Sequence, residues 1–261
     1  MAVSFGPEIV STSGDGAARL GMACAVTEYP SRSDPRYTLR EPYLIAEIDA
    51  DAEAERSYAP WTDMAGGMRR EGLPLFSVDT HRPAGEFDIL AFNRSAELVY
   101  TNVLECLDLA GMPVRAADRG PEHPLVLVGG HCSYNPEPMA DFVDAAVLGD
   151  GEEVVGEITE VVAAWKAAGS GSRAELLRAL SGVTGVYVPS LYRAEFDGGV
   201  FTGVVPIDDA PPVVEKRTVA DLAACGPGLG DNGQLNFLGE PLPVDTMRLF
   251  FEHPEDIRLY G

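Results

Sequence analysis

The sequence predicts an α/β protein in which a mainly parallel sheet is flanked by helices, with a small β appendage behind it. Three observations carry this. Short apolar runs at 87–92, 125–128 and 144–148 have the length and composition of strands buried on both faces. Segments with apolar residues at helical spacing stand between and after them. Glycine or small polar residues sit where each run ends, and such alternation favours parallel pairing with right-handed crossovers.

Residues 1–50 show little periodicity, and Pro30, Pro35 and Pro42 break any helix longer than a few turns. From Trp61 the texture changes: 62–71 reads as a short helix ended by Gly72-Leu73-Pro74. The run 87–92 is bounded by Gly85 and Asn93. Segment 97–110 places Leu98, Val99, Val103, Leu104, Leu107 and Leu109 on one broad apolar helical face. Cys106 falls within that pattern and reads as a buried structural thiol, while Gly111 is placed to cap the helix. The run 125–128 ends in Gly129-Gly130, and 136–142 can form a short helix with Pro136 at its first position. The run 144–148 ends in Gly149-Asp150-Gly151, and 152–168 reads as a long helix with Val154, Val155, Ile158, Val161, Val162 and Trp165 facing inward.

A different texture follows. Residues 169–172 form a flexible break, 173–180 a short helix, and 185–188 and 191–196 strands. Asp197-Gly198-Gly199 is a hairpin turn leading into the returning strand 200–205. The chain thus divides into a poorly matched segment 1–53, an α/β domain 54–170, a helix and β-hairpin appendage 171–222 and an irregular tail 223–261.

Apolar residues make up 46% and charged residues 23%, as in soluble globular chains, which excludes a disordered, collagen-like or disulfide-scaffold protein. No stretch approaches the ~18 consecutive apolar residues of a membrane span. The first residues lack the basic and apolar blocks of a signal peptide. A soluble, cytoplasmic protein with no membrane contact is expected. Cys24, Cys106, Cys132 and Cys225 are separated by 82, 26 and 93 positions, so no zinc ribbon or iron–sulfur cluster can be built from local spacing. Nineteen Lys and Arg against 41 Asp and Glu give a net charge of −22, and no Lys or Arg lies between Arg119 and Lys166. So negative a body repels DNA and RNA, and no direct nucleic-acid binding is expected.

In a parallel sheet, ligands bind at the carboxyl ends of the strands. Three such ends can be named: Asn93-Arg94-Ser95, Gly129-Gly130-His131-Cys132-Ser133 and Gly149-Asp150-Gly151-Glu152. Glycines there let backbone approach a large ligand with no Cβ in the way, or simply permit tight turns.

The run LVGGHCSYNPEPMADFVDAAVLGDGEEVV, residues 127–155, resembles the GGxx…NPEP…D…GDGE block of cobalamin-binding-type radical SAM proteins. Similar segments are AERSYAPW (54–61), PLFSVDTHRP (74–83), FDILAFNRSAELVYTNVL (87–104), AGMPVRAADR (110–119), GVYVPSLY (185–192) and VEKRTVADL (214–222). The family resembled is one whose N-terminal region precedes a radical SAM core. The resemblance implies a Rossmann-like or flavodoxin-like parallel sheet. It places Ser95 and Gly129-Gly130 where such domains contact the nucleotide tail of cobalamin. His131 lies beside them, and Gly149, Asp150, Gly151 and Glu152 flank the same crevice.

The departures shape the expectation. No DxHxxG loop is present, so ligation of cobalt by a histidine is not expected. Residues 1–50 do not match the strand, loop and helix that the family places ahead of residue 54. After Leu222 no CxxxCxxC follows, and without it there is no cluster to cleave SAM. The expectation is a truncated member with no radical chemistry of its own, working with a separate radical SAM core chain. The [4Fe-4S] cluster and S-adenosylmethionine then belong to full-length members. A structural or interaction domain with a decayed ligand site is the alternative. A hydrolase using His131, Cys132 and Glu137 is disfavoured, because adjacent residues tend to point apart.

Overall fold

A computed structural model describes residues 20–26, 52–94 and 96–220. Its main sheet has the order β2-β1-β3-β4-β5-β6, with β1 (Leu20–Val26), β2 (Ala52–Tyr58), β3 (Ile89–Asn93), β4 (Leu125–Gly129), β5 (Ala145–Val147) and β6 (Val186–Tyr187). The pairings from β2 through β5 are parallel, and only β6 joins antiparallel. A separate hairpin pairs β7 (Tyr192–Asp197) with β8 (Val200–Pro206). The α/β class is therefore as the sequence predicts.

Period-two alternation sorts the strand side chains to two faces. Leu90, Phe92, Val126, Val128 and Ala146 pack with Met68 of α1 (Thr62–Glu71) and with Val103, Cys106 and Leu107 of α2 (Tyr100–Leu109). Ile89, Leu125, Leu127, Ala145 and Val147 pack on the other side with Val154, Ile158 and Val162 of α3 (Val154–Ala167). Leu176 and Leu180 of α4 (Arg173–Leu180) join that second cluster. Helices thus cover both faces, which is why the central strands read as unbroken apolar runs.

The helix ends follow local rules. Gly111, at φ 70°, closes α2: its N–H donates to Asp108 O, and the Met112 N–H donates to Leu107 O, both at 3.0 Å. Ser172 and Glu175 form a reciprocal capping box at α4.

Several expectations are corrected. A strand N-terminal to residue 54, expected to be missing, is present: β1 lies inside the sheet, second from its edge, between β2 and β3. β2, AEAERSY, is an edge strand whose polar residues are satisfied by the 76–82 loop. Ser57 Oγ donates to Phe76 O at 2.9 Å, and Thr80 Oγ1 donates to the buried Glu55 at 2.7 Å. Arg56 donates through its backbone N–H to Asp79 at 2.7 Å and through Nη2 at 2.5 Å. Burial alone would raise the Asp79 carboxyl, but these bonds from Arg56 outweigh it and hold it below the usual carboxylate range.

Leu98 is 91% exposed, because 97–99 form a 3-10 turn ahead of α2 and the helical face does not extend to it. Segment 136–142 holds only one 3-10 turn at Glu137–Met139. Val186–Tyr187 belongs to the main sheet and not to the appendage. The hairpin itself turns at Gly198 (φ 57°) and Gly199 (φ 86°), the paired left-handed conformation that twists with its strands.

At the amino edge of the sheet lies a buried ionic clamp. Asp144, 2% exposed, takes the Val126 N–H and Arg173 Nη2 on Oδ2, each at 2.7 Å. Its Oδ1 takes Arg119 Nη2 at 3.3 Å. The positive charge left over is shared among carbonyls: Arg119 donates to Pro113 O and Phe142 O, and Arg173 to Gly120 O, His123 O and Pro124 O. One carboxylate thereby fastens β4, β5, α4 and the 113–124 connection together.

Candidate functional site

In a sheet of order 2-1-3-4-5, the direction in which strands are added reverses between β1 and β3, and ligands of such folds bind there at the carboxyl edge. Val26 ends β1 beside Asn93, and Asn93 lies beside Gly129 of β4. The β3 and β4 loops are therefore neighbours at the switch point. The Arg94 N–H donates to Gly129 O at 2.7 Å, and the Cys132 N–H donates to Arg94 O at 3.0 Å, tying the two loops together. Ser95 lies outside the described residues.

The glycines of this edge do different things. A Cβ on Gly129 would meet nothing within 4 Å among the described residues, which leave the edge open above it. Gly130, at φ 94°, is held against the β3 loop: a Cβ there would lie 2.4 Å from Asn93 Oδ1 and 2.8 Å from Arg94 O. Gly149, at φ 106°, is packed by the chain's own residue 217, with a Cβ falling 2.0 Å from Arg217 O. The Arg217 N–H donates to Leu148 O at 2.7 Å, and Asp150 accepts the Val219 N–H at 2.9 Å. The Arg217 guanidinium reaches Glu153 at 2.5 Å and Glu157 at 2.7 Å. A strap of residues 217–219 thus covers the end of β5, and Asp150 is engaged by it. In the same loop, one carboxylate oxygen of Glu152 is buried without a hydrogen-bond partner among the described residues.

His131 is exposed beside the glycine pair. Cys132 is half-buried, and partial burial with the Glu97 carboxylate pushes its thiol above the usual range, Arg94 opposing. That is the reverse of an activated nucleophile. Glu137, the third member of the hydrolase triplet, accepts a 2.5 Å hydrogen bond from Tyr187. Among the described residues no group of three or more His, Cys, Asp or Glu is placed to hold a metal ion. Burial pushes the Cys106 thiol up to about 12. At pH 8 with iodoacetamide in the native state, Cys132 is expected to alkylate slowly and Cys106 not at all, as read by peptide mass mapping. Rapid labelling of Cys132, at or above the rate of free cysteine, would restore the nucleophile reading.

Two residues that the sequence places in strand-end loops, without marking them as site residues, stand out here. Arg94 is fully buried among the loops, as is Ser133. Position after a strand end was the available signal for both, but residue type alone pointed to solvent.

Fold and edge together define a doubly wound α/β domain with its loop cluster at a topological switch point. Residues 41–189, more than half of the chain, match the family of radical SAM proteins, N-terminal, and the chain belongs to that family. The match begins upstream of residue 54 and stops before the β7–β8 hairpin. No curated protein matches the chain, and no solved structure does. Among the described residues, no helix is long and apolar enough to cross a membrane.

Proposed function

We propose that this chain is the cofactor-binding-like module of a cytoplasmic radical SAM system, holding cobalamin at the carboxyl edge of β3 and β4. The observation that carries the reading is the edge that the described residues leave open above Gly129, next to buried polar atoms of Arg94 and Ser133 that have no partner among those residues. A flat ligand needs open backbone, and its polar tail needs donors at the rim. The residues present fit such a group without a histidine ligand to its metal, since no DxHxxG loop occurs. When bound, the corrinoid would supply cobalt chemistry. The residues here bind and orient it, with Gly129 giving clearance, Gly130 letting the β4 loop close against Asn93 and Arg94, and the β4 loop forming the rim.

None of the four cysteines has the CxxxCxxC spacing, so in this proposal the [4Fe-4S] cluster and S-adenosylmethionine are held by a radical SAM core outside residues 1–261. The net charge of −22 argues against nucleic acid as a direct partner. A second reading, an interaction domain whose ligand site has decayed, is favoured by the strap that covers the end of β5.

The test is to mix the purified chain with hydroxocobalamin under reducing conditions, desalt it and record the visible spectrum. Near-stoichiometric corrinoid absorbance in the wild type, lost in Gly129→Leu, is the expected result. A colourless wild-type protein would reject the cofactor reading and leave the interaction domain.

A further inference from the structure

Arg94 is the largest fully buried side chain among the described residues, at 0% exposure. Its Nη2 donates to Cys132 O and, at 3.3 Å, to Asn135 O. The guanidinium lies over the Tyr100 ring, 4.7 Å from its centroid. Among the described residues, Nε and Nη1 have no hydrogen-bond partner, and neither has Ser133 Oγ, on the residue after the carbonyl that holds Nη2. Among the described residues no carboxylate pairs with Arg94, whereas the buried Arg119 and Arg173 share Asp144.

A buried lysine can relieve such a situation by losing its proton, but a guanidinium stays charged. Burial weighs against the charged form of Arg94, and Tyr100, Cys132 and the Glu97 carboxylate oppose that effect only through space. Among the described residues the guanidinium therefore lacks an anion in direct contact. It sits at the β1/β3 switch point, directly after Asn93, and the residues beside it, Gly130, His131 and Tyr134, are exposed. Three unpartnered donor atoms on two loops suit a tetrahedral group with oxygens in several directions better than a planar carboxylate with two.

We propose that Arg94 and Ser133 form an oxyanion site that takes a phosphate group, presented at the carboxyl edge of β3 and β4. This goes beyond the corrinoid reading, because it needs only the phosphate. Free inorganic phosphate and the phosphodiester of a nucleotide-bearing ligand share the chemistry, and the experiment separates them.

Thermal unfolding of the full chain is followed in sodium phosphate and in sodium chloride at equal ionic strength, with phosphate line broadening in 31P spectra as a second readout. The wild type is expected to gain several degrees in phosphate and to broaden the resonance. Ser133→Ala removes a hydroxyl that makes no hydrogen bond, so its fold is expected to persist while phosphate affinity falls about tenfold, the loss of one charge-assisted hydrogen bond. Arg94→Lys keeps the charge and is expected to weaken binding further. A wild type with no phosphate-specific gain and no broadening would overturn the proposal, as would equal affinity in all three proteins. Hydroxocobalamin is run in parallel. Phosphate binding without corrinoid retention rejects the corrinoid and keeps this site. Corrinoid retention without any phosphate effect rejects this site and keeps the corrinoid.

Discussion

Asp144→Asn is expected to destabilise the folded chain by about 3–5 kcal/mol, the cost of breaking a buried ion pair by removing one partner. Asp144 is the only carboxylate among the described residues paired with Arg119 or Arg173, whose side chains are 0% and 9% exposed. Asparagine would leave two guanidinium groups buried with carbonyls alone. One oxygen could still serve the Val126 N–H, so the loss is chiefly electrostatic. The comparison is Arg69→Ala, which removes ion pairs to Glu105 and Asp108 on the surface and is expected to leave the unfolding midpoint nearly unchanged. Urea unfolding followed by circular dichroism measures both. An Asp144→Asn midpoint indistinguishable from the wild type would show that the carbonyls alone can hold both cations.

How much of this was legible in the sequence depends on where each residue's partners lie. β4 and β5 could be read because a central strand is covered on both faces, so each side chain is apolar. α3 could be read because its face repeats over several turns. β2 could not, since AEAERSY derives its burial from the 76–82 loop, whose hydrogen bonds to Glu55, Arg56 and Ser57 are formed across more than ten residues of chain. β1, LGMACAV, is an apolar run, but Gly21, Ala23 and Ala25 dilute it and the Gly-, Ser- and Pro-rich sequence around it masks the strand signal. Leu98 was misplaced because a helical period says nothing about a 3-10 turn that precedes the helix.

The site shows the same division. Glycine pairs after apolar runs mark strand ends, and they are found there. Which glycine clears space for a ligand and which clears it for the chain itself is a tertiary fact. Gly129 faces open space, while Gly130 is packed by Asn93 and Arg94, and Gly149 by Arg217. Arg94, Arg119 and Arg173 were unreadable as buried residues, because a cation is taken inside only where distant carbonyls or a carboxylate await it.

The strap at β5 yields the second large effect. Gly149→Ala is expected to release residues 217–219 from the sheet edge. Its φ of 106° is a conformation that L residues rarely adopt, a strain of order 1–3 kcal/mol, and the new Cβ would fall 2.0 Å from Arg217 O. Backbone on both sides of that contact is fixed, because Arg217 N–H is bonded to Leu148 O and Asp150 N–H to Arg217 O. Relief has to come from moving the strap. Trypsin reads this directly, since Lys216 and Arg217 are its sites and Arg217 is held by Glu153 and Glu157 in the wild type. Cleavage after 216 and 217 is expected to be at least several-fold faster in Gly149→Ala. Gly129→Ala, whose Cβ meets nothing within 4 Å, is the control and should digest like the wild type. Equal cleavage of Gly149→Ala and wild type would mean that the strap is not held at this edge in solution. In that event the end of β5 would be open, and Gly149, Asp150, Gly151 and Glu152 would all be available to the same ligand as Gly129.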